Sequence, residues 1–91
     1  MKRSLQALKQ KTGKQNIVGE RIRIARQQQN PPWTMEHLSE MLEEHEGLEI
    51  SISTIGRIES GMRSVYDYEI VAFARVFNVD LKWLLNFHKT D

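Results

Sequence analysis

Four interruptions cut the chain between residues 17 and 86 into short pieces. The first is Asn30-Pro31-Pro32, where neither proline can donate a backbone hydrogen bond, so a helix must stop. The others are Gly47 in "EEHEGLE", Gly61, and "NVD" at 78–80. Between them apolar residues recur at steps of three and four: Val18, Ile22 and Ala25; Leu38, Met41 and Leu42; Ile55 and Ile58; Ile70, Phe73, Ala74 and Phe77; Leu81, Leu84 and Leu85. That is the period of a helix, and no stretch alternates as a half-buried strand would. The chain therefore reads as all-α, with five short helices in one domain and no internal repeat. Helices this short are marginal alone in water, so packing must hold each of them.

Capping residues stand where the interruptions end. Thr34 precedes the second helix, Ser51 the third, Asp67 the fourth and Asp80 the fifth. His37 occupies the position of a capping-box glutamate. Gly61 suits the residue that follows the third helix. Trp33 is expected to plug the core. Trp83 and Phe87 either close the core or form an exposed apolar strip on the last helix, and such a strip marks an association surface.

A chain of 91 residues, 40% hydrophobic, can bury one small core and is expected to hold no second, ligand-sensing domain. Without cysteine it can form neither a disulfide nor a Cys-based zinc site, which fits a reducing cytoplasm. No apolar run reaches the roughly 18–20 residues of a membrane span. The basic N-terminus lacks the apolar segment of a secretory signal. His37, His45 and His88 have neither ligand spacing nor a companion cysteine. Phosphate-cradling glycine motifs are also missing. The chain is therefore expected to be no enzyme, with no metal, no cofactor, no membrane and no small-molecule substrate.

Charge is distributed unevenly. Residues 1–33 carry eight basic side chains against Glu20, whereas residues 34–61 carry seven glutamates against Arg57. The first third is thus +7 and the middle −6, which suggests two faces with different partners. Residues 1–16 read as a basic arm, with a helical turn around Leu5 and Leu8 and a break at Gly13. Arg21, Arg23 and Arg26 lie on the first helix, where pairing with Glu20 or the acidic loop is favoured over phosphate contact.

The order "VGERIRIAR" (18–26), "WTMEHLSEML" (33–42), "ISISTIGRIESGMRS" (50–64) and "IVAFARVFNVDLKWLL" (70–85) resembles the Cro/repressor-type helix-turn-helix family, the XRE-like domains. The most specific piece is the S-x-x-x-I-x-x-I-E-x-G run at 51–61, followed by Arg63. The resemblance implies a five-helix, lambda-repressor-like DNA-binding domain over residues 17–88, with the second and third helices as the helix-turn-helix. It implies double-stranded DNA as partner and transcriptional regulation, by default repression. The third helix would read the major groove through Ile52, Ser53, Thr54 and Arg57, with Gly56 on the same face. Ile55 and Ile58 would anchor it from behind, and Glu59 would hold a structural hydrogen bond. Thr34, Ser51, Arg63 and Ser64 would meet phosphates. The chemistry of the residues agrees. Arg57 can donate two parallel hydrogen bonds to guanine, Ile52 can pack on a thymine methyl, and the start of the second helix can hold a phosphate through backbone amides.

The sequence also departs from the family pattern. "EEHEGLE" at 43–49 lengthens the connection between the second and third helices, and its Glu43, Glu44, Glu46 and Glu49 would repel phosphates if they faced DNA. Met35 stands where a phosphate-binding Gln is common, and Val65 where Pro is common. With one long polar side chain on the reading face, Lys2, Arg3, Lys9, Lys11 and Lys14 of the arm are the candidates for further DNA contact, although a plain solvated tail is the favoured reading of the arm. A homodimer through the last helix would read two half-sites. The alternative is a protein-interaction module, such as an antitoxin, that uses the acidic 43–49 loop as its contact surface. The direction of that loop separates the two: if it flanks the reading helix on the DNA side the interaction reading gains, and if it points outward the DNA reading stands.

Overall fold

Each helix begins and ends for a local reason. The computed structural model describes residues 13–87 and contains α1 (Gly19–Gln27), α2 (Met35–Glu46), α3 (Ile52–Glu59), α4 (Asp67–Phe77) and α5 (Leu81–Leu84). No strand occurs among the described residues. None of these helices is long and apolar enough to cross a membrane. Thr34 Oγ1 accepts from the His37 amide at 3.0 Å, so His37 enters this cap only through its backbone. Ser51 Oγ accepts from the Thr54 amide at 3.2 Å, and Asp80 Oδ1 from the Lys82 amide at 2.8 Å. Each cap satisfies an amide that the first helical turn leaves without a partner.

The fourth helix corrects the sequence expectation. Its cap position is Tyr66, and Asp67 is already helical. The Tyr66 amide donates to the Glu69 carboxylate at 2.9 Å, so a residue three positions on takes the role expected of Asp67. Asp67 instead accepts from the Tyr68 amide at 2.7 Å. The expected lengthening between the second and third helices is present. α2 runs on to Glu46 and ends at Gly47, whose φ of +62° is the left-handed conformation glycine tolerates best. The amides of Gly47 and Leu48 close on the carbonyls of Glu43 and Leu42.

The core collects one stripe from every helix. Ile22 and Ala25 of α1, Leu38 and Leu42 of α2, Ile55 and Ile58 of α3, Phe73 and Phe77 of α4 and Leu84 of α5 are all buried. α2 packs against both α3 and α4, α1 against α3, and α5 against α4. Trp33 lies partly buried at the rim, its ring 5.7 Å from that of Phe77. Trp83 packs against the core under the Arg21 guanidinium, whereas Phe87 stays exposed.

The start of α1 lies against the end of α3. A Cβ on Gly19 would collide with the carbonyl oxygen of Ile58 and approach that of Glu59. Only glycine allows this contact. Gly19→Ala is therefore expected to destabilise the fold by about 1–3 kcal/mol, the usual cost of overpacking. A lower urea midpoint at unchanged m-value would show it.

Candidate nucleic-acid interface

α3 is held from behind by polar contacts as well as by Ile55 and Ile58. Arg26 of α1 meets Glu59 in a two-pronged pair, Nε to Oε2 at 2.7 Å and one terminal nitrogen to Oε1 at 2.9 Å. Its other terminal nitrogen donates to the Trp33 carbonyl at 2.9 Å. Glu59 is buried and Arg26 partly so, and the pair's hydrogen bonds raise the Arg26 guanidinium above its ordinary value against the opposing effect of burial. Pairing is thus the role of Arg26, with Glu59 rather than Glu20 or the acidic loop as partner. Glu59 holds the structural position that the sequence resemblance implies.

Asn16 adds a second clasp. Its amide nitrogen donates to the carbonyls of Ile58 (3.1 Å) and Arg63 (2.8 Å), and its oxygen accepts from the Val18 and Gly19 amides (3.0 and 2.7 Å). One side chain joins the start of α1, the end of α3 and the loop that follows. The Gln15 amide also donates to the Gly61 carbonyl at 2.7 Å, and the Lys14 side chain lies against Gly61. Residues 14–16, the end of the expected arm, are therefore bound to the domain. The helical turn around Leu5 and Leu8, and the arm contacts Lys2, Arg3, Lys9 and Lys11, lie outside the described residues.

The opposite face of α3 is open. Ile52 is 48% exposed, and Ser53 and Arg57 are exposed with it. Arg57 makes no side-chain hydrogen bond or ion pair among the described residues. Thr54 is half-buried and accepts from the Ser51 hydroxyl at 2.9 Å, so it is partly committed to the cap. Met35 Sδ would lie 3.9 Å from a Cβ on Gly56, which brings the start of α2 beside the middle of α3. Thr34 is exposed at that edge.

Beyond α3, Arg63 faces Glu69 with both terminal nitrogens at 3.0 Å, and one of them also donates to the Ser64 carbonyl at 2.9 Å. Arg63 thus carries a charge already balanced by a buried carboxylate. Ser64 is exposed. Tyr66 and Tyr68 stack at 5.5 Å on the surface, with the Arg63 guanidinium 5.8 Å from the Tyr66 ring. Burial pushes the Glu69 carboxyl up. The Arg63 hydrogen bonds and charge, together with the Tyr66 amide, outweigh burial and hold it below its ordinary value.

The acidic connection divides. Glu46 turns to α4, where Arg75 Nε lies 3.3 Å away. Glu43 and Glu49 border an open cleft with Ser39, Ile50, Ser51, Thr54 and Arg63, at the N-terminal end of α3. Both are exposed and have no ion-pair partner among the described residues. Anchors on either side fix Glu49: the Leu48 amide on the Leu42 carbonyl, and the Ser39 hydroxyl on the carbonyl of buried Ile50 at 2.6 Å.

The sequence-predicted residues thus form one surface in part. Ile52, Ser53 and Arg57 share the open face of α3, Thr34 lies at its edge, and Ser51 and Arg63 border the acidic cleft. Sequence reasoning missed Asn16 and the Glu69 clamp. A glutamate three residues after Tyr66 was the available signal for the clamp, obscured by the better-looking cap at Asp67. No family model, curated protein or solved structure matches the chain.

The Arg63–Glu69 pair predicts an acid dependence. The Glu69 carboxyl lies below its ordinary value of 4.5 in the folded state, so the pair's stabilisation is complete above that pH. It is lost as pH falls through the depressed folded value. Glu69→Gln is expected to lower stability at pH 7 by about 1.5–3 kcal/mol, the range for hydrogen bonds to charged groups. It should also flatten the fall in stability below pH 4.5. Urea titrations from pH 7 to pH 3 would test both effects.

Proposed function

We propose that this chain is a helix-turn-helix domain of the Cro/repressor type. It binds double-stranded DNA in a sequence-specific way and serves as a small transcriptional regulator, by default a repressor. The observation that carries this reading is Arg57. It is an exposed, partnerless guanidinium on a helix whose other face is clamped by Ile55, Ile58 and the Arg26–Glu59 pair. A fixed fork of donors facing solvent suits the O6 and N7 acceptors of guanine. In this reading α2 and α3 are the helix-turn-helix with a lengthened turn, and Ile52, Ser53 and Thr54 share the base-reading face with Arg57. Thr34 and Ser64 meet backbone phosphates. Ser51 and Arg63 stand beside them with polar groups already engaged. The basic residues Lys2, Arg3, Lys9, Lys11 and Lys14 add further contacts in this reading. Two copies joined through α5 and the exposed Phe87 that follows it would read paired half-sites.

A second reading gains from Glu43 and Glu49, because they flank the start of the reading helix instead of pointing away from it. Unpaired carboxylates beside the start of α3 also suit a protein partner with a basic surface, as in an antitoxin.

Selection from a randomised duplex pool tests the first reading. The native chain should enrich one motif with binding that weakens steeply with salt. Arg57→Ala should lose preference at one base pair, at a cost of about 1–3 kcal/mol there. If neither chain enriches any sequence, the DNA reading fails and the second reading becomes the better one.

A further inference from the structure

The charges around α3 are not evenly spread. At its N-terminal end stand Glu43 and Glu49, unpaired among the described residues, and Arg63, which lines the same cleft, is already matched by Glu69. In its last turn stands Arg57, unpaired and exposed. α3 therefore lies in a field that runs from negative at its start to positive at its end. The backbone that carries the carboxylates is held in place, because Glu43 rides on the last turns of α2 and Glu49 sits between the anchored residues Leu48 and Ile50.

We infer that Glu43 and Glu49 are specificity-determining residues of the proposed DNA interface: they exclude phosphate from the N-terminal end of α3 and so suppress binding to random sequence. The inference rests on the DNA-binding reading above. Non-specific affinity comes from phosphate neutralisation, which is indifferent to sequence. Two carboxylates carried on anchored backbone beside the reading helix penalise every register in which a backbone strand crosses that end. They cost little in the one register where base contacts through Arg57 hold the strand away. Specificity is a difference of affinities, and repulsion in the wrong complex widens it as surely as attraction in the right one. On this inference Ser51, which shares the cleft and caps α3 with its hydroxyl, holds no phosphate.

The test compares four full-length chains: native, Glu43→Gln, Glu49→Gln and the double variant. Each is titrated with the duplex selected by the native chain and with a duplex of scrambled sequence, across a salt series. Glu44→Gln serves as control, since it removes the same charge from an exposed position that does not line the cleft. The double variant should bind scrambled duplex on the order of tenfold more tightly at low salt and have a smaller ratio of selected to scrambled affinity. Glu44→Gln should change neither appreciably. The inference is overturned if the double variant matches the native chain on scrambled duplex, or if Glu44→Gln has the same effect. It is also overturned if the double variant loses affinity for the selected duplex alone, which would place the carboxylates on base amino groups. A native chain that selects no motif sinks the DNA reading itself, and this inference with it. A native motif with unchanged variants sinks the inference alone.

Discussion

The arrangement depends on one largely buried ion pair. α3 is eight residues long, too short to persist without support. Arg26 and Glu59 tie its last residue to α1, and the same guanidinium reaches the Trp33 carbonyl just before α2. Three elements therefore meet at one side chain. Such a pair adds little net stability, because desolvating both charges offsets most of their attraction. Its contribution is geometric. A bidentate fork fixes distance and rotation together, which a purely apolar contact between Ile58 and α1 does less sharply. Gly19 and Asn16 complete the seam by letting the backbones touch and by satisfying the carbonyls exposed there.

A second pair repeats the device on the far side of α3. Arg63 and Glu69 join the loop after α3 to the first turn of α4. Together the two pairs commit two arginines that a count of charges would have offered to DNA. What remains for a polyanion is narrower than the composition suggests. Among the described residues, Arg57 and Arg23 carry guanidinium groups with no hydrogen bond or ion pair. The positive balance of the first third of the chain therefore rests largely on residues that precede the domain.

How much of this was visible in the sequence depends on the range of each contact. Helix positions were legible because breakers and three-four spacing are local, and the caps at Thr34, Ser51 and Asp80 follow from residues two or three apart. The cap of α4 was not, since an aspartate in the expected place outweighed a tyrosine whose amide is served by Glu69. The partners of Arg26 and Asn16 lie 33 and 42 residues away, and no spacing rule relates them. The resemblance supplied a structural part for Glu59 but not the residue that meets it. The length of the 43–49 connection could be read directly. Its split between Arg75 and the cleft could not, because that depends on how α2 lies across α3 and α4.

The lengthened connection is a built element rather than slack. Gly47 closes α2, Ile50 is buried, and the Ser39 hydroxyl ties the strand of backbone between them to α2. A floppy acidic loop would average its field over many positions and swing away from an approaching polyanion. An anchored backbone keeps these charges near the start of α3. Its carboxylates act on any partner that approaches the start of α3, which must either bring positive charge or keep its own negative charge at a distance. On the proposed DNA reading, the second condition is met by a duplex that docks on the Arg57 side, and the loop and the arginine then act on one docking geometry from opposite ends of one short helix.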